Sequence, residues 1–118
     1  MARVLVIDDE VAAREAVQKM LESAGHEVVV AGGGWEGLKK YRINPPDLVL
    51  VDLFMPELDG IETILLLRKE STDVKIIAMS GNALGNTMLP VALLLGSVAR
   101  LEKPFTLEQL LTTIDKVL

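Results

Sequence analysis

Short β-branched and aliphatic runs alternate with longer stretches of helical periodicity along the whole chain. Arg3–Ile7 is strand-like, and residues 10–23 follow as a helix whose apolar positions Val11, Val17, Met20 and Leu21 recur at helical spacing. Gly25 is placed to close that helix as a C-terminal cap. Val28–Val30 reads as a second strand and residues 35–42 as a second, short helix. Pro45 and Pro46 force a break before Leu48–Val51, a third strand apolar on both faces. A helix over 60–70, buried through Ile61, Ile64, Leu65 and Leu67, leads to a strand over 74–79. A helix over 84–95, a strand over 98–101 and a helix over 107–118 complete the pattern.

Five strands alternating with five helices make a (βα)5 chain of the α/β class. Strands apolar throughout, each followed by a crossover helix, imply one parallel sheet covered on both faces. Right-handed crossovers then distribute the helices over its two sides. With 118 residues, no repeat and no low-complexity tract, the sequence is expected to form one domain over residues 1–118.

Composition narrows the function classes. Half of the residues are apolar but only 3% are aromatic, so the core is built from Val, Ile, Leu, Met and Ala. Twelve basic against seventeen acidic residues leave a charge of −5, which argues against direct nucleic-acid binding, since that needs a basic face. The absence of cysteine excludes a thiol nucleophile and thiolate metal sites, and it suits a cytoplasmic location. Residues 76–99 carry no charge over 24 positions, long enough to span a bilayer. The segment is interrupted by Ser80, Gly81, Asn82, Gly85, Asn86, Thr87, Pro90 and Gly96, which favours a buried strand, a polar turn and a short helix. No membrane association is expected.

All strands of a parallel sheet end at one edge, and ligands bind just beyond it. The first strand runs into Asp8 and Asp9, the third into Asp52, the fourth into Ser80 and the fifth into Lys103. Like charges 4 Å apart repel by about 4 kcal/mol at an effective dielectric of 20, so such a cluster calls for cations. A divalent ion together with Lys103 balances the carboxylates, and an all-oxygen donor set suits Mg2+. Asp9 taken alone reads equally well as a helix cap.

Ile7-Asp8-Asp9-Glu10, Asp52-Leu53-Phe54-Met55-Pro56 with Asp59-Gly60, Ser80-Gly81 and Lys103-Pro104-Phe105 together resemble the receiver domain of bacterial response regulators, over essentially the whole chain and in order. The resemblance implies a flavodoxin-like fold with strand order 2-1-3-4-5. It implies that Asp52 is the phosphoacceptor, that Asp8, Asp9, Asp52 and the Phe54 backbone carbonyl hold Mg2+, and that Lys103 and Ser80 engage the phosphoryl group. A cis Lys103–Pro104 peptide also follows from it, where sequence alone gives odds of roughly 5%. The implied partners are a sensor histidine kinase or phosphotransfer protein and a downstream protein reached through the 84–101 face, with a homodimer as a further possibility. Such a domain is a phosphoacceptor that catalyses its own phosphorylation and dephosphorylation and is not an enzyme in the usual sense.

Some positions depart from that pattern. Arg100 stands where the family usually carries an aromatic residue three positions before the lysine, and reads first as a solvated edge residue. The helix over 84–95 lacks charge and contains Pro90, which suggests a late start or a kink. Its apolar stripe is expected at Leu84, Met88, Val91 and Leu95, with Leu89, Leu93 and Leu94 off it. Residues 32–37 spell G-x-G-x-x-G, a nominal dinucleotide fingerprint, but after the second strand instead of the first, and the first strand's turn carries acids that repel a pyrophosphate. Trp35 is expected to pack at its helix start and His26 to be a polar strand-start residue. The rival reading is a degenerate receiver serving as a constitutive interaction module. A Mg2+ phosphohydrolase is disfavoured because Phe54, not a second acid, lies two residues after Asp52.

Overall fold

Strands β1 (Arg3–Ile7), β2 (Glu27–Ala31), β3 (Leu48–Asp52), β4 (Lys75–Ser80) and β5 (Ala99–Glu102) alternate with helices α1 (Val11–Ser23), α2 (Gly34–Ile43), α3 (Gly60–Glu70), α4 (Ala83–Leu95) and α5 (Leu107–Val117). The structure, a computed structural model, describes every residue except Asn82, and every side chain outside 82–85. The strands form one parallel sheet in the order β2-β1-β3-β4-β5, as the resemblance implied. No helix among the described residues is long and apolar enough to cross a membrane.

Alternation along the strands sorts the core into two layers. Leu5, Ile7, Val49, Val51, Ile76 and Ala78 face α2, α3 and α4 through Leu38, Tyr41, Ile64, Leu67, Leu89 and Ala92. On the other face Val4, Val6, Leu48, Leu50, Ile77 and Met79 pack against Val17 and Leu21 of α1 and Leu110 and Ile114 of α5. β3, in the middle, is buried at every residue, which explains its unbroken apolar sequence up to Asp52. The starts of α3 and α5 are fixed by side chains: Asp59 accepts from the Glu62 N–H at 2.9 Å, and Thr106 and Gln109 form a reciprocal capping box on α5. Gly25 takes a left-handed conformation (φ 89°) immediately after the α1 cap residue Ala24, close to its expected role.

The structure corrects several helical assignments. Leu89, expected off the α4 stripe, is fully buried, and the inward face runs through Met88, Leu89, Ala92 and Leu95. Leu84 lies outside the described side chains. A helix without charged residues offers no polar face against which to orient the apolar one, so periodicity alone places its stripe poorly. Pro90 sits inside α4, which therefore does not start late. Leu65, expected inside, is exposed, as is Val11 among the apolar positions of α1, and Thr63 takes a buried place on α3 with its hydroxyl donating to the Asp59 carbonyl at 2.8 Å. Trp35 is 60% exposed instead of packed. His26 caps the strand start, its Nδ1 accepting from the Ala2 N–H at 3.1 Å.

Candidate functional site

The carboxyl ends of β1 and β3 lie side by side, Ile7 in register with Val51, so the residues that follow meet at one edge. Carboxylate oxygens of Asp8, Asp9 and Asp52 come within 4.8 Å of one another. Asp8 is fully buried and Asp52 nearly so, whereas Asp9 is exposed. Asp8 Oδ1 accepts from the Glu10 N–H at 3.0 Å and its Oδ2 pairs with Lys103 Nζ at 2.5 Å. The same ammonium stands 3.7 Å from Asp52 Oδ2. Asp9 does not act as the helix cap: Glu10 occupies that position and makes no side-chain cap bond.

Lys103 reaches the site because the β4 and β5 ends are stitched together, its backbone N–H donating to the Ser80 carbonyl at 2.7 Å. Ser80 is fully buried at the end of β4, and the Lys103–Pro104 peptide is cis, as the resemblance implied. Asp9, Glu10, Asp52, Phe54, Gly81 and Lys103 line an open cleft over the acids. The Phe54 side chain is 56% exposed at its rim. Under the site, α3 starts almost on the β3 backbone: a Cβ on Gly60 would lie 2.4 Å from the Asp52 carbonyl oxygen. Glycine is needed there for that close approach.

Burial pushes the Asp52 carboxyl up to about 6, against the pull of Lys103; Asp8 adds to the rise, the Phe54 backbone N–H opposes it, and Asp9 adds a little more. An acid held this way gains from any cation that enters the cleft. The donors are all oxygen and converge on one point, which suits a hard divalent ion better than zinc.

Two features near the site's loops escaped the sequence reading. Arg14, in the first turns of α1, donates from Nη1 to the Asp8 carbonyl at 2.9 Å. Helical side chains lean toward the N-terminus, and that geometry was the only sequence signal for the contact. Glu57, in the loop between β3 and α3, adopts a left-handed conformation with φ 64°, which nothing in its side chain announces. Arg100 is exposed, in keeping with a solvated edge residue. Two glycines of 32–37 serve packing: a Cβ on Gly34 would lie 2.4 Å from Thr63 Oγ1, and one on Gly37 2.4 Å from Ile7 Cδ1.

Residues 4–115 match the family model described as the response regulator receiver domain. Among curated proteins, the probable transcriptional regulator ycf27 of Cyanophora paradoxa is 38% identical over 98% of this chain and 48% of its own length. Response regulator MprA of Mycobacterium sp. (strain KMS) is 35% identical over 98% of this chain and 50% of its own length. The chain thus spans about half the length of the curated relatives it matches. Among solved structures, the chemotaxis protein CheY4 of Vibrio cholerae superposes with a TM-score of 0.89 at 32% identity, covering 100% of this chain and 99% of that one. NtrX from Brucella abortus gives 0.92 at 28% identity, covering 98% of this chain but only 26% of its own. The same fold therefore occurs both as nearly a whole solved chain and as a portion of longer ones, and in both settings the match runs through the strand ends where the acids gather. The chain belongs to the response regulator receiver domain family of two-component systems.

Proposed function

We propose that this domain is a phosphoryl switch whose acceptor is Asp52. An Asp52 carboxylate oxygen attacks the phosphorus of a phosphohistidine on a sensor histidine kinase or phosphotransfer protein. A P–O bond forms as the P–N bond breaks, and the imidazole leaves with a proton from solvent. The observation that carries this reading is the setting of Asp52: a nearly buried carboxylate open to one cleft, with the Lys103 ammonium 3.7 Å away.

Asp8, Asp9, Asp52 and the Phe54 backbone carbonyl would hold Mg2+. Bound there, Mg2+ would supply positive charge against the negative charge of the phosphoryl group, the main catalytic need in phosphoryl transfer. Lys103 gives a second positive charge 3.7 Å from Asp52, and Ser80 a hydroxyl donor at the end of β4. An aspartyl phosphate adds charge and acceptor oxygens, so it draws Lys103 and Ser80 toward itself and shifts the strand-end loops that carry them. The domain thereby catalyses its own phosphorylation and dephosphorylation.

Output then passes to a downstream protein partner through the 84–101 face, in the cytoplasm, with residues 1–118 acting as one receiver unit. The acidic balance of the chain disfavours direct contact with nucleic acid.

Intact mass after incubation with a small phosphodonor and Mg2+ tests the reading. A gain of one phosphoryl group is expected, lost in Asp52→Asn and with a chelator. No gain with any donor, while the protein remains folded, would overturn it.

A further inference from the structure

A network of polar contacts lies behind the acid cluster. Arg14 Nη1 donates to the Asp8 carbonyl at 2.9 Å, and the same guanidinium contributes to holding the Glu36 carboxyl below its ordinary value. The Gly32 N–H is the main cause of that lowering, donating to Glu36 Oε2 at 3.0 Å, and Lys40 adds to it. Lys40 Nζ also donates to the Val30 carbonyl at 2.5 Å. Arg14 thus holds the turn after β1 and lies against the turn after β2 at Gly32.

The contacted carbonyl belongs to the peptide that joins Asp8 to Asp9. A planar peptide held by its carbonyl has its orientation fixed, and with it the direction in which the next residue's Cα leaves. Asp8 has its own restraints in Lys103 and the Glu10 N–H. Asp9 is exposed and precedes the first turn of α1, so its aim depends on the backbone before it. We propose that Arg14 is a positioning residue that aims the Asp9 carboxylate into the cation site by clamping the Asp8–Asp9 peptide, and that Gly32 is there to leave the guanidinium room. A Cβ at position 32 would lie 3.2 Å from Arg14 Nη1, so the guanidinium would have to give way by a few tenths of an ångström.

This inference rests on the reading of Asp8, Asp9 and Asp52 as the cation site. Its test is titration of the whole chain with Mn2+, reading free ion by electron paramagnetic resonance, on wild type, Arg14→Ala, Arg14→Lys and Gly32→Ala. Loss of an outer contact that orients a ligand weakens metal affinity by about tenfold or more, and that is expected for Arg14→Ala. Arg14→Lys should recover part of the loss, since it keeps a donor and a charge, and Gly32→Ala should weaken binding with Arg14 still present. If Arg14→Ala fails to fold, Gly32→Ala decides the matter in the same terms. Affinity in these variants equal to a wild type that binds Mn2+ would overturn the role of Arg14 and leave the cation site standing. A wild type that binds no Mn2+ would overturn both.

Discussion

The Lys103 ammonium lies 3.7 Å from the Asp52 carboxylate, near enough to oppose the effect of burial but not to cancel it. Asp52 is left at about 6, above the 3.8 of an ordinary aspartate. The folded state therefore binds this proton more tightly than the unfolded chain does. Its charge opposes folding above about pH 6, and the opposition fades as the pH falls toward 4. Without added cation, Asp52→Asn should be more stable than wild type by about 2–3 kcal/mol at pH 7.5. The difference should shrink toward zero at pH 4, in paired urea titrations at the two pH values.

Lys103 serves Asp8 more directly than Asp52. The 2.5 Å pair joins a largely buried ammonium to a carboxylate with no solvent exposure. Removing one member of a buried pair leaves the other charged and uncompensated. Lys103→Ala is expected to cost about 3 kcal/mol in cation-free buffer and to push Asp52 higher still. Thermal melts with and without Mg2+ would check it, the variant gaining more from the cation than wild type does.

Glu57 holds a left-handed backbone conformation that costs an L-residue about 1–2 kcal/mol. Glycine avoids that cost and loses part of the gain to its greater freedom in the unfolded chain. Glu57→Gly should stabilise the domain by about 0.5–1 kcal/mol, read as a raised urea midpoint at unchanged slope.

The rotated stripe of α4 makes a paired prediction. Leu89 is fully buried between α4 and the sheet, so Leu89→Ala should cost about 2–5 kcal/mol. Leu94, five residues on, is 86% exposed, and Leu94→Ala should change stability by no more than about 0.5 kcal/mol. Denaturant unfolding of the two variants side by side separates the observed stripe from the one that periodicity favours.

The strands were legible because parallel strands buried on both faces must be apolar throughout, and Leu48–Val51 leaves no other reading. The acids were legible because such strands end at one edge, which brings Asp8 and Asp52 together from 44 positions apart in the sequence. Helix faces were harder. Leu89, expected off the α4 stripe, is buried, since a helix without charged residues has no polar face to set its direction, and Leu65, expected inside on α3, is exposed while Leu67 is buried. Least legible were contacts made through the backbone. Arg14 on the Asp8 carbonyl and the left-handed Glu57 depend on chain geometry that leaves no residue-type signature. At Gly34 and Gly37 a nominal motif for phosphate binding and a need for small residues against Thr63 and Ile7 are spelled alike.

Gly60 has a consequence for mutational scanning. It bears no functional group, yet a single added methyl would collide with the Asp52 carbonyl oxygen at 2.4 Å and with Leu53 Cα at 2.5 Å. In a saturation screen scored on signalling output, position 60 should tolerate as few substitutions as the acids themselves. An observer ranking positions by intolerance alone would place a backbone spacer among the chemical groups. Only a parallel screen for folded protein would tell the two kinds of position apart.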